Sequence, residues 1–161
     1  LGIEVVLPPE EYLQADLPIL SPLVAGMIRQ PSQLTLLDAG GNDAGATVLA
    51  SLEDVFKNKP VKMLQVVNPL RPFTNTIEGC LKIRSEIENA AKLSISGIIG
   101  NANLIHETRI EEIYSGYEFV QALCEKSRLP LEFITVARKL LPDVDLSRLS
   151  CRCWPSDGDV V

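Results

Sequence analysis

A chain of 161 residues, 46% of them hydrophobic and with a mean hydropathy of +0.15, is long and apolar enough to bury one core, which excludes a disordered chain. Its net charge of −6, without a basic cluster, argues against binding nucleic acid through phosphates or docking on an anionic membrane. Aromatic residues make up only 5%, so the core must be built from Leu, Ile, Val and Ala, a composition that suits buried parallel strands in an α/β protein. No apolar run approaches the roughly 20 residues that span a bilayer. The opening LGIEVVLPPEEY has no charged segment before a long apolar stretch, so it does not read as a signal peptide. Cys80, Cys124, Cys151 and Cys153 lack the paired spacing of a zinc site, and His106 is the single histidine. Reduced thiols in a cytoplasmic protein are the better reading.

In chain order, Gly2–Pro9 is β-branched and closed by two prolines, which predicts a strand. Residues 10–22 carry Asp16, Pro18 and Pro22 and read as irregular. Pro22 suits the first turn of a helix capped by Ser21 and ending before Pro31. Gln33–Ala39 (QLTLLDA) predicts a strand. Ala44–Asn58 has Val48, Leu49, Leu52, Val55 and Phe56 at helical spacing, stopped by Lys59-Pro60. Val61–Asn68 reads as a strand, Asn68–Thr76 as a loop with two prolines, and Thr76–Leu93 as a long helix. A strand over Ser94–Asn101 and a loop lead to a helix over Glu111–Arg128, with an interruption expected near Ser115-Gly116. Leu131–Ala137 predicts another strand, and ARKLLPDV a short helix.

These alternating elements predict one α/β domain over residues 1–142, a three-layer, mostly parallel sheet with helices on both faces. Residues 143–161 read as a loosely ordered tail. In such a sheet ligands bind beyond the carboxyl ends of the strands, which draws attention to Asp38, Gly40, Gly41, Asn42, Asn68, Arg71, Asn101 and Asn103.

Gly40–Thr47 spells G-x-x-x-x-G-A-T, a phosphate-binding loop without its lysine. Its glycines permit close backbone approach and the helix that follows favours an anion, but Asp38 and Asp43 would bring negative charge towards the phosphates. A second reading starts from Asp38, an acidic residue ending an apolar run. Nucleotide hydrolases place a carboxylate in this way near magnesium or its water shell, with a glycine turn sensing the terminal phosphate. A third takes Asp38-Ala39-Gly40-Gly41 as a plain connection, capped by Asn42 or Asp43. His106 reads as a solvent-exposed loop residue, and Tyr114, Tyr117 and Phe119 as packing groups.

Taken in order, DAGGNDAGA (Asp38–Ala46), VVNPLRPFTNT (Val66–Thr76) and SGIIGNANL (Ser96–Leu104) resemble the MinD/ParA-like P-loop ATPases, the deviant-Walker group that includes CobQ/CobB-type proteins, and within it an uncharacterised ATP-binding branch. The resemblance runs from about Leu1 to about Val136. It implies ATP and Mg2+ as ligands. Asp38 would be the carboxylate supporting magnesium, directly or through water, with Gly40 and Gly41 as the switch turn near the γ-phosphate. Asn101 would be the asparagine that reads the adenine edge. Asn68 and Pro69 match a polar-proline turn after a strand. Arg71 is a candidate to reach phosphate or a partner, and Asn103 and Arg138 are candidates near the base. The family's phosphate loop lies upstream of everything quoted, so the resemblance implies the C-terminal portion of a longer ATPase, itself a P-loop NTPase-like fold left incomplete. Such a portion is expected to hydrolyse ATP little or not at all alone, and to associate with a second copy or another subunit. The rival class is a non-catalytic interaction module in which the glycine turn is structural.

Overall fold

The computed structural model describes residues 4–7, 22–30, 32, 34–41, 43–57 and 59–156. They have an α/β architecture in two compact units. One holds the residues up to Val61 together with Glu86–Leu93; the other holds Lys62–Ser85 and the residues from Ser94 onward.

The first unit is helical. Helix α1 (Pro22–Arg29) begins on the proline that pre-sets its first turn. The run expected as one helix over Ala44–Asn58 is two, α2 (Asp43–Ala50) and α3 (Glu53–Phe56), with Ser51 and Leu52 between them. The break is local: the Ser51 hydroxyl donates to the Val48 carbonyl, a bond that competes with helical pairing. Ile28, Leu52, Val55 and Phe56 form this unit's core, with Val24, Ala25 and Leu93 against them.

Neither strand expected at the start of the chain is present among the described residues. Residues 4–7 carry no strand, and the remainder of Gly2–Pro9 lies outside the described residues, as do 10–21, with Asp16 and Ser21. Residues 34–40 have no regular secondary structure either, and Leu36 is 84% exposed. A β-strand exists only by pairing, and among the described residues of this unit there is no strand to take up the N–H and C=O groups of these leucines.

The second unit is a four-stranded, all-parallel sheet of β1 (Met63–Val67), β2 (Ile95–Gly100), β3 (Leu131–Ala137) and β4 (Arg152–Ser156), in the order β1-β2-β3-β4. The crossovers are α4 (Ile77–Ala91) and α5 (Ile110–Ser127). Helix α4 starts on the Thr76 hydroxyl, which accepts from the Gly79 N–H at 3.1 Å. Helix α5 runs unbroken through Ser115-Gly116. Gly116 serves packing: a Cβ there would lie 2.3 Å from the Ala102 Cβ, so its absence lets the helix approach the end of β2.

Strands laid down in sequential order by right-handed crossovers send each connection to the same face of the sheet. Val67, Ile98, Val120 and Leu123 accordingly form one cluster with Cys80 of α4, and Ile134 and Val136 form a second with Ile113 and Tyr117 of α5. The alternate residues of the same strands point the other way. Val66, Ile99 and Phe133 are aligned across the sheet on that opposite face, where Val66 is 58% and Trp154 56% exposed.

Within the segment read from the sequence as a tail, residues 143–156 are described, and they include the 3-10 turn Leu146–Arg148 and the strand β4. Val144 and Leu149 are buried against α5 and β3. The Tyr117 hydroxyl accepts the Ser150 N–H at 2.9 Å and pairs with the Ser150 hydroxyl at 2.7 Å. The Tyr114 hydroxyl accepts the Asp145 N–H, and Arg148 lies 3.7 Å above the Tyr114 ring. These contacts, more than strand propensity, deliver Arg152–Ser156 to the edge of the sheet, where Pro155 is tolerated. The short helix expected in ARKLLPDV is a 3-10 turn, Leu141–Asp143.

Candidate functional site

The carboxyl ends of β1, β2 and β3 bring Asn68, Asn101 and Arg138 to one end of the sheet. The loop after β1 is built around Asn68. Its Nδ2 donates to the Asn103 carbonyl at 2.7 Å, its Oδ1 accepts the Leu70 N–H at 3.0 Å, and its own carbonyl accepts the Thr74 hydroxyl at 2.7 Å. Asn103 is engaged in the same way: its Oδ1 accepts the Ile105 N–H at 2.6 Å and the Thr108 hydroxyl at 3.1 Å. The Asn68 side chain therefore ties the β1 loop to the β2 loop, and the Asn103 side chain braces the β2 loop within itself, roles in loop architecture rather than ones that point at a ligand. Pro69 packs beside Gly116 of α5, and Arg71 is exposed.

Asn101 differs from these two. Its backbone N–H donates to the Val67 carbonyl at 2.8 Å, which fixes the residue at the top of β2. The Thr135 hydroxyl donates to its Oδ1 at 2.6 Å, across to the neighbouring strand. That bond uses one of two lone pairs and orients the amide, so one acceptor position and both Nδ2 hydrogens stay without a partner among the described residues. Asn101 and Thr135 both follow the pleat onto the open face.

Two bulky residues in the tied loops occupy the left-handed backbone region: Phe73 at φ 69 and Ile105 at φ 60. Phe73 is 80% and Ile105 48% exposed, so neither conformation is compensated by burial. For a β-branched residue this conformation is a genuine outlier, and such strain clusters at functional surfaces. The sequence carries no signal for either, nor for Thr135, whose role is set by its position across from Asn101.

On the covered side of this end lies a void of about 10 Å³, bordered by Gly100, Ala102, Gly116 and Tyr117. It is the size of one water molecule. Ser156 Oγ, at the same end of β4, is buried without a hydrogen-bond partner among the described residues.

Asp38, Gly40 and Gly41 lie in the other unit, exposed and outside any strand. The turn folds back on itself: a Cβ at Gly45 would come within 2.6 Å of the Gly40 backbone, so Gly45 is required by that approach. Asn42 lies outside the described residues. His106 is exposed within the short 3-10 turn Ile105–Glu107, and its carbonyl accepts from Lys139. All four cysteines are unpaired. Burial pushes the Cys80 and Cys124 thiols up to about 11, Cys151 adding to the effect at Cys124, which makes both poor nucleophiles. Among the described residues no three or more His, Cys, Asp or Glu side chains converge to hold a metal ion, and no helix is long and apolar enough to cross a membrane.

Comparison of the chain with family models, with curated proteins and with solved structures gives no match.

Proposed function

We propose that this chain is the C-terminal portion of a MinD/ParA-like ATP-binding protein, in which Mg-ATP binding and hydrolysis act as a conformational or dimerisation switch. The observation that carries the reading is Asn101: an asparagine at the carboxyl end of a central parallel strand, oriented by Thr135 and offering two donors and an acceptor. An adenine edge presents the complementary donor and acceptor. In this reading further strands and a second helical layer complete a three-layer P-loop NTPase-like sheet over the open face. Asp38 supports magnesium through water, and Gly40 and Gly41 sense the γ-phosphate. Asn68 and Asn103 act indirectly, by holding the loops that flank the base. Phosphoryl transfer depends on positioning and charge stabilisation, so the chain without a phosphate loop is nearly inactive. The protein works in the cytoplasm, with its thiols reduced.

One observation favours a second reading. The close approach of Gly45 to Gly40 gives the glycine turn a structural reason of its own. Here the domain is a non-catalytic interaction module, presenting Phe73 and Ile105 to another subunit.

Calorimetry with Mg-ATP separates the two. Titration is done on this chain and on a version extended upstream through its native sequence to include a phosphate loop. The ATPase reading expects binding by the extended version, weakened about tenfold or more by Asn101→Ala. Absence of binding by both versions rejects it in favour of the interaction module.

A further inference from the structure

The first unit contains a cleft of about 300 Å³, within the size range of small-molecule sites. Leu49, Phe56, Val61 and Leu93 provide its apolar lining, and Phe56 and Leu93 belong to the core beneath. Three lysines line it as well, Lys57, Lys59 and Lys92, with Glu53 as the single acidic residue. All three lysines are exposed, and none forms an ion pair with a described residue. The chain as a whole has 21 acidic residues against 15 basic ones, so this grouping runs against its overall charge.

Lys92 follows the end of α4 in the left-handed region, at φ 57, its N–H donating to the Glu88 carbonyl at 3.1 Å. Glycine is the usual residue at such a cap. The negative end of the helix dipole accounts for one cation here. It does not account for Lys57 and Lys59, which arrive from a separate segment after α3. Lysine stems extend an apolar wall while their heads stay in water, so the cleft is apolar inside and cationic at its mouth.

We propose that this cleft binds a small amphipathic anion, a carboxylate or phosphate head on a short apolar tail. The tail lies against Leu49, Phe56 and Leu93, and the head is held by Lys57, Lys59 and Lys92. The inference is independent of the nucleotide reading, since no residue of the strand ends takes part.

The test is titration of the 15N-labelled chain with octanoate, kept below its micelle concentration, followed by amide shifts. Octyltrimethylammonium, with the same tail and opposite charge, is the control. Saturable shifts confined to residues 49–61 and 91–93 are expected, with no comparable response to the cation. The double variant Lys57→Glu/Lys92→Glu, altered only at exposed positions, is expected to keep the spectrum elsewhere and to lose affinity for octanoate about tenfold or more. The proposal is overturned by non-saturating shifts, by shifts centred on the open sheet face around Val66 and Trp154, by equal binding of the cation, or by unchanged affinity in the variant.

Discussion

Val66 and Val67 are neighbours on one strand, yet one is largely solvent-exposed and the other has no exposed surface. The contrast extends across the whole sheet. One face carries α4, α5 and the connection that leads into β4; the other presents Val66, Ile99, Phe133 and Trp154. Sequential strand order produces this asymmetry, because each right-handed crossover returns on the same side. A doubly wound sheet reverses its order once, and the ligand crevice opens where it does so. The four described strands contain no such reversal. The proposed site therefore lies at the carboxyl end of the open face, where Asn101 and Thr135 meet, and not in a formed crevice.

The largest effect is expected on the covered face. Gly116→Ala adds a single Cβ that would lie 2.3 Å from the Ala102 Cβ, where α5 meets the loop after β2. A loss of about 3 kcal/mol in chemical denaturation is expected, since an overpacked contact with little room to relax forces backbone movement. The compensating variant Gly116→Ala/Ala102→Gly should recover part of it. A neutral Gly116→Ala would show that α5 is not held against the sheet in this way.

A smaller effect belongs to two thiols on that face, Cys80 buried and Cys124 partly buried. The Cys80 and Cys124 thiols are held at about 11, above an exposed thiol at roughly 8.5. Folding thus favours the neutral thiol. That contribution is whole below the unfolded value and is lost as the pH rises through the folded one. Denaturation midpoints should fall as the pH rises from about 9 to about 11, and Cys80→Ala should flatten the decline. An identical pH profile in the variant would remove Cys80 from the account. The smallest effect is expected on the open face. Trp154→Ala removes a tilted ring contact with Phe133, centroids 6.1 Å apart, and should cost about 1 kcal/mol or less.

Much of the sheet is legible in the sequence. Val61–Asn68, Ser94–Asn101 and Leu131–Ala137 announce β1, β2 and β3 as apolar runs between turn residues, and the helix over Thr76–Leu93 is bounded by its own cap. What escapes is decided by partners distant in the chain. QLTLLDA has a strand's composition, but composition does not supply a neighbour to pair with. RCWPS has little strand character, yet contacts from Tyr114 and Tyr117 to residues more than 30 positions away deliver it to β3. Strand order, and with it the open face, is likewise absent from local pattern. At the candidate site, the place of Asn101 follows from the strand that precedes it. The engagement of Asn68 with Asn103, and the strained exposure of Phe73 and Ile105, are products of loop closure that no residue type advertises.

The two-sidedness of the sheet is tested most directly by urea denaturation of Val67→Ala beside Val66→Ala. The same chemical change is made one residue apart on one strand, so strand propensity is nearly matched and the face is the variable. A loss of about 2 kcal/mol or more is expected for Val67→Ala, from a buried cavity, and less than about 1 kcal/mol for Val66→Ala. Equal losses would contradict it, because they would mean that both faces of β1 are packed.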